Sequence, residues 1–396
     1  MLTFGFEWEV PLLNTKLLPY KETFEIAFNL RKKIKKSHTG LDFIHYFRNP
    51  MLEIRSGIMD DLNICEEIVE KIFEEIKKIK KNKNLIFLFS GTYPLSGDTC
   101  GLHVHIGSFY SFKESFEYEK SLINYIPLIG AISVNSPVYT KYIHGNYKSY
   151  RILFQAWWAS RPNRYEDERF RFFEWGTDLN NKVIYKPTVE IRIGDAPLFK
   201  DFIKDYLFLC IGLFLLKDED FNEKRYKEYL TNRLIIAKNG LASKILWNGK
   251  EKNIDEIILN KISKIEDKFS KRFKYKFKII PEMIKKRIDM ADFSYKIFKD
   301  ENEDILNYIL RIEDAFFENK FLEYIKNSSK KEILPSPSPS QIFYEFIKKK
   351  NVLGIISEIT KLPLIEIENL IESLKKEKKI KINKDKIFGI LISRND

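Results

Sequence analysis

The chain has 396 residues, 44% hydrophobic and 14% aromatic, which allows two or three folded domains and excludes a disordered protein. Its 68 basic residues outweigh 56 acidic ones, and the net charge of +12 favours nucleotides, phosphates and nucleic acid without choosing among them. Three cysteines, Cys65, Cys100 and Cys210, are odd in number and form no CxxC pair, which argues for a reducing compartment and against a disulfide scaffold.

The chain opens on a strand. In Met1 to Val10 (MLTFGFEWEV), Phe4, Phe6, Trp8 and Val10 alternate with Gly5, Glu7 and Glu9, the period of a half-buried strand. Its polar face carries two carboxylates roughly 7 Å apart. A helix is expected from about Lys21 to Lys36, while His38 and His45 read as ordinary histidines. Met51 to Gly57 repeats the alternation, with Leu52 and Ile54 facing one way and Glu53 and Arg55 the other.

The spacing of Ile64, Ile68, Ile72, Ile76 and Ile79 predicts a helix over about Asp61 to Lys81, and Asn84 to Ser90 reads as a buried strand. A turn-rich loop, Gly91 to Gly101, leads into Gly101 to Gly107 (GLHVHIG), where His103 and His105 alternate with Leu102, Val104 and Ile106. Cys100, in that loop, reads either as a nucleophile or ligand or, more commonly for a cysteine, as a small packing residue.

Ser111 to Ile132 is expected to be mostly helical and to end at Ser133 to Pro137 (SVNSP), where Pro137 breaks it. The stretch Tyr139 to Arg164 gathers Tyr142, His144, Tyr147, Tyr150, Arg151, Trp157, Trp158, Arg161 and Arg164. It reads either as a lid over an anionic ligand, with Arg151 and Arg161 as carboxylate or phosphate clamps, or as aromatic packing between domain halves. The fourth alternating segment is Thr188 to Asp195 (TVEIRIGD), with Glu190 and Arg192 on its polar face.

From Phe199 to about Ile325 the pattern is helical, in segments Phe199 to Lys217, Glu223 to Lys238, Asn253 to Lys271 and Glu301 to Ile325. The most apolar run, Tyr206 to Leu216, is shorter than the roughly 20 residues a bilayer demands and reads as a buried helix. With a strand beginning at once and no signal peptide expected, the protein is read as soluble and cytoplasmic, with no membrane partner.

Residues 331–340, containing SPSPS, read as a linker. The tail, 341–396, has the order of a winged helix-turn-helix: helices over 341–349, 354–360 and 363–376, then strands Ile380 to Ile382 and Ile387 to Ile392. Lys375, Lys376, Lys378 and Lys379 could meet nucleic acid, yet Glu366, Glu368 and Glu372 suit a phosphate-lined groove poorly, so a protein-contact or structural role is favoured.

The four alternating strands place Glu, His and Arg on their polar faces and no Lys, in a chain where Lys is the default surface residue. Sharing one sheet, they would make a face able to bind a metal and an anion, since hard cations take carboxylate oxygens and Arg reads phosphate. Ordinary amphipathic strands with surface charges are the plainer reading of any one of them.

FGFEWEV, GLHVHIG, SVNSP and TVEIRIGDAP stand in the order and spacing seen in carboxylate–amine ligases of the glutamate–cysteine ligase type, relatives of glutamine synthetase. The resemblance covers about residues 1–215. It implies an α+β fold, a curved antiparallel sheet with helices on its outer face, in a catalytic domain over 1–330 whose helical part is 199–330. It further implies an ATP-dependent enzyme using Mg²⁺ or Mn²⁺, which phosphorylates a substrate carboxylate and lets an amine displace the phosphate. By the same resemblance Glu7, Glu9, Glu53 and Glu190 are metal-binding acids, with His103 as a further ligand. His103 and His105 would hold metal or nucleotide, and Arg192 would steady the transferring phosphoryl group. Glutamate or another amino acid is the expected carboxylate, small molecules are the expected substrates, and a homo-oligomer is compatible with the family. The alternative is a non-catalytic ligand sensor or DNA-binding regulator on the same fold.

Overall fold

The computed structural model describes residues 2–14, 41–46, 49–83, 85–95, 98–107, 109, 112–140, 142–154, 175–178, 188–217, 223–336, 351–352, 376, 380–385 and 389–394. The expected helix over 21–36, His38, Trp157, Trp158, Arg161, Arg164 and, apart from Lys376, the three tail helices lie outside these residues. So does the side chain of His45.

The four alternating segments join one sheet. Its strands are β1 (Thr3–Asn14), β2 (Leu41–Tyr46), β3 (Asn49–Arg55), β4 (Leu85–Phe87), β5 (Gly101–Gly107), β6 (Trp175–Asp178) and β7 (Thr188–Asp195). They lie in the order β6–β7–β5–β1–β3–β2, with β4 on the far end of β1, and every pairing is antiparallel. β1 passes from β3 to β4 near Pro11, which has no N–H to give to a ladder.

Antiparallel pairing with a two-residue side-chain period keeps each face uniform across the strands. Glu7 stands opposite both Arg55 and His103, Glu9 opposite Glu53, and His105 opposite Glu190. On the other face Phe4, Phe6, Trp8, Val10, Leu52, Ile54, Leu102, Val104, Ile106, Val189 and Ile191 are all buried.

Helices cover that apolar face. The Trp8 ring lies 5.4 Å from Phe89 and 5.6 Å from Phe316 of the helix Ile305–Phe317, and Phe89 stacks on Phe316 at 3.5 Å. Phe273, at the end of the helix Ile254–Phe273, meets Phe4 edge-on at 6.3 Å. Full burial of each ring contributes about 1.5–3 kcal/mol. The helix Phe202–Leu216 is buried from Phe202 to Phe214, as its apolar run requires.

The helix Leu62–Lys83 forms close to its expected bounds, but its buried side is Leu62, Cys65, Ile68, Val69, Ile72, Phe73 and Ile76, while Ile64 is exposed. The helix expected over 111–132 is two, Phe112–Ser121 and Ile126–Ser133, because Pro127 at the start of the second gives no hydrogen bond back to the first.

The helical reading of 199–325 needs two corrections and gains two further helices. A hairpin, Lys244–Trp247 with Lys250–Asn253, interrupts it, turned by Asn248 and Gly249, both at positive φ. Two short helices follow, Ile280–Lys286 and Met290–Asp300, the second opened by a capping box between Asp289 and Asp292. Glu301 to Ile325 splits into Ile305–Phe317 and Lys320–Asn327, parted at Asn319, which takes a left-handed conformation.

In the tail, Ile380–Asp385 and Gly389–Arg394 pair antiparallel, and Asn351–Val352 adds a third strand to the second of them. Among the described residues no helix is long and apolar enough to cross a membrane.

Candidate metal and active site

β1 runs between β5 and β3, so Glu7 has His103 on one side and Arg55 on the other. Glu7 Oε2 is 3.7 Å from His103 Nδ1, and its Oε1 is 3.5 Å from His105 Nε2 and 3.0 Å from Arg55 Nε. From β7, Glu190 Oε1 stands 3.6 Å from His103 Nδ1 and 3.8 Å from His105 Nε2. One row along the strands, Glu9 Oε2 is 3.9 Å from His103 Nε2 and accepts the Gly101 N–H at 2.7 Å. Glu53 accepts from Arg55 Nε at 2.6 Å.

Burial sets the electrostatics. It lowers the pKa of His103, as does nearby Arg192, so the imidazole is neutral and has a lone pair to share. At Glu7 burial pushes upward, but His103 and His105 together outweigh it and hold the carboxyl well below the usual carboxylate range. Glu53 is pushed up to about 7 by burial and by the charge on Glu7, against the pull of Arg55. Three carboxyl groups, Glu7, Glu9 and Glu190, crowded around a neutral imidazole are an arrangement that a divalent cation would relieve.

Among the described residues, both ring nitrogens of His103 and Oε2 of Glu53 are buried without a hydrogen-bond partner. Buried polar atoms are normally satisfied, so these are placed to take a ligand. Glu7, His103 and Glu190 each offer one ligand atom, and the three atoms lie within 4.8 Å of one another. Carboxylate oxygens with one imidazole suit Mg²⁺ or Mn²⁺, the nitrogen favouring the latter. The residues present therefore fit such an ion.

Arg192 reaches this face through β7, its Nη1 donating to Glu190 Oε1 at 2.8 Å. Arg151 comes close from beneath, but its two terminal nitrogens donate to the main-chain carbonyls of Ile193 (2.9 Å) and Arg192 (2.8 Å) rather than lying open to a ligand. Arg161 lies outside the described residues. In the aromatic stretch, Tyr147 and Tyr150 are buried with rings 5.6 Å apart, and His144 sits 4.9 Å from the Phe298 ring, which is the packing reading for these three. Cys100 is fully buried and burial pushes its thiol well up, so it packs.

Sequence reasoning missed three supports of the site. Thr188 Oγ1 lies 3.2 Å from His105 Nδ1, one strand away. Gly101 holds Glu9 through its N–H. Asp195, fully buried, accepts from the Asn135 N–H (2.7 Å), Ser136 Oγ (2.7 Å) and Ser149 Oγ (3.1 Å), tying SVNSP to the end of β7. Both segments belong to the motifs singled out in the sequence, but nothing local in either one names the other as its partner.

No described protein family and no curated protein matches the sequence. Solved structures resemble its fold. A bifunctional glutathione synthetase from Pasteurella multocida is similar with a TM-score of 0.53 and 10% identity, over 99% of this chain and 59% of that one. The Pup ligase PafA in complex with the prokaryotic ubiquitin-like protein Pup is similar with a TM-score of 0.48 and 11% identity, over 97% of this chain and 84% of that one. At 10% identity the likeness to the synthetase is one of fold. The chain spans about three fifths of that synthetase's length.

Proposed function

We propose that this chain is an ATP-dependent carboxylate–amine ligase of the glutamate–cysteine ligase type, built on a glutamine synthetase-like fold. The observation that carries this reading is the Glu7–His103–Glu190 cluster, in which His103 and Glu190 are buried and Glu7 partly so, with Glu9, Glu53 and His105 around it. The shared fold with a protein named for glutathione synthesis supports it.

In this reading Glu7, His103 and Glu190 hold Mg²⁺ or Mn²⁺, with Glu9 and Glu53 beside them. The ion, when bound, neutralises phosphate charge. Arg192 would steady the transferring phosphoryl group, His105 would help to hold metal or nucleotide, and Arg161 would clamp a carboxylate or phosphate. An oxygen of the substrate carboxylate attacks the γ-phosphorus of ATP and ADP leaves. The amine nitrogen then attacks the acyl carbon, phosphate departs, the nitrogen loses a proton, and an amide remains. Such chemistry asks for positioning and charge neutralisation, which this inventory of acids and guanidinium supplies.

The domain division is 1–330 for catalysis, 331–340 as linker and 341–396 as a winged-helix-like segment, the last supported by the paired strands Ile380–Asp385 and Gly389–Arg394. The test is ADP release by purified protein with Mg²⁺, ATP and a pool of amino acids and amines, followed by mass spectrometry. ADP release that needs both a carboxylate and an amine and yields a condensed product is the expected result. A stable phosphorylated product formed without an amine would replace the ligase with a phosphotransferase.

A further inference from the structure

β7 carries a bulge. Ile191 pairs with Val104 and Gly194 with Leu102, so Arg192 and Ile193 together face His103. An extra residue interrupts the ladder, and the main-chain carbonyls there must find other donors. One side chain takes both: Arg151 Nη2 donates to Arg192 O at 2.8 Å and Nη1 to Ile193 O at 2.9 Å.

Arg151 is only 3% exposed, on the short helix Tyr150–Phe154. Its charge is answered by Asp195, whose Oδ1 is 3.8 Å from Nη1. Asp195 is in turn held by Asn135, Ser136 and Ser149, and Ser136 Oγ also accepts the Arg151 N–H at 3.2 Å. A Cβ on Gly101 would stand 2.6 Å from Arg151 Nη2 and 2.7 Å from His103 Nε2, so guanidinium and imidazole meet at the same spot on β5.

We propose that Arg151 is a positioning residue: by fixing the two bulge carbonyls it sets the direction in which Arg192 and Glu190 enter the cluster around His103. What the cluster does rests on the ligase reading, whereas the hold on the bulge stands on geometry. A planar fork can grip two carbonyls at once; a lysine ammonium on a flexible stem is matched to one.

The test compares the full-length wild type with Arg151→Met and Arg151→Lys. Mn²⁺ binding is followed by electron paramagnetic resonance, and amide hydrogen exchange over Thr188–Asp195 is read against Phe202–Leu216 as internal reference. Arg151→Met should weaken Mn²⁺ binding about 10–100-fold, as loss of groups that orient ligands does, and speed exchange in Thr188–Asp195 selectively. Arg151→Lys should recover part of both. An arginine that merely stabilised the fold would lower the melting temperature and leave the Mn²⁺ affinity of folded molecules unchanged, and that result overturns the proposal. If Arg151→Met does not fold, the same readouts on Arg151→Lys decide. Wild-type protein that binds no Mn²⁺ would remove the metal reading by itself, and selective exchange over Thr188–Asp195 would still decide the hold on the bulge.

Discussion

Glu7 Oε2 and His103 Nδ1 face each other at 3.7 Å across β1 and β5, directly opposite in the strand register, with neither residue hydrogen-bonded to the other at that distance. A carboxylate held ionised beside a buried neutral imidazole offers two ligand atoms to a divalent ion, and Glu190 Oε1, 3.6 Å from the same nitrogen, offers a third.

Glu7→Gln keeps the shape and hydrogen-bonding capacity of the side chain but removes its charge. ATP-dependent turnover should fall by about 10²-fold or more, the scale of one lost charge-stabilising group in a phosphoryl-transfer site. Circular dichroism should be unchanged, because Phe6 and Trp8 on the opposite face still pack. Full turnover in a folded variant would remove Glu7 from the site.

Binding to the folded state alone raises its stability by mass action. Mn²⁺ at about 100 times its dissociation constant should add about 2.7 kcal/mol, seen as an upward shift in melting temperature reversed by EDTA. Glu190→Gln should cut the shift to about half or less at the same Mn²⁺ concentration. A melting temperature indifferent to Mn²⁺ and EDTA would argue against a folded-state site.

Gly101→Ala places a Cβ 2.6 Å from Arg151 Nη2, 2.7 Å from His103 Nε2 and 3.0 Å from Gly194 O. Neither the guanidinium, tied to two carbonyls, nor the backbone can retreat freely. Overpacking of this kind should cost about 1–3 kcal/mol in urea unfolding and should disturb Mn²⁺ binding as well.

Phe316→Ala empties the stack between Trp8 and Phe89 under β1. Truncation of a buried phenylalanine costs about 3–5 kcal/mol. Urea unfolding should show that loss, while Mn²⁺ affinity of the folded fraction should change little, since the site lies on the other face of the sheet.

The polar face was legible because a period of two permits one division of each strand: once Phe4, Phe6 and Trp8 are buried, Glu7 and Glu9 must point the other way. That Glu7 lies between His103 and Arg55 was not legible, because strand order is a long-range property and nothing local in GLHVHIG names its neighbour. The Asp195 contacts were hidden for the same reason, its partners being about 46 to 60 residues earlier in the chain. The Asn248–Gly249 turn was a local signal, overlooked in a lysine-rich stretch with helical spacing on both sides. Pro127 was equally visible and should have divided the helix read over 111–132.

The most direct test of the central claim is a Mn²⁺ titration of the full-length protein, followed by electron paramagnetic resonance, with Glu7→Gln and Glu190→Gln alongside. Saturable binding by the wild type, weakened at least about tenfold in each variant, is the outcome that the buried cluster predicts. Binding of equal strength in all three proteins, or none in the wild type, would contradict the assignment of Glu7, His103 and Glu190 as a metal site.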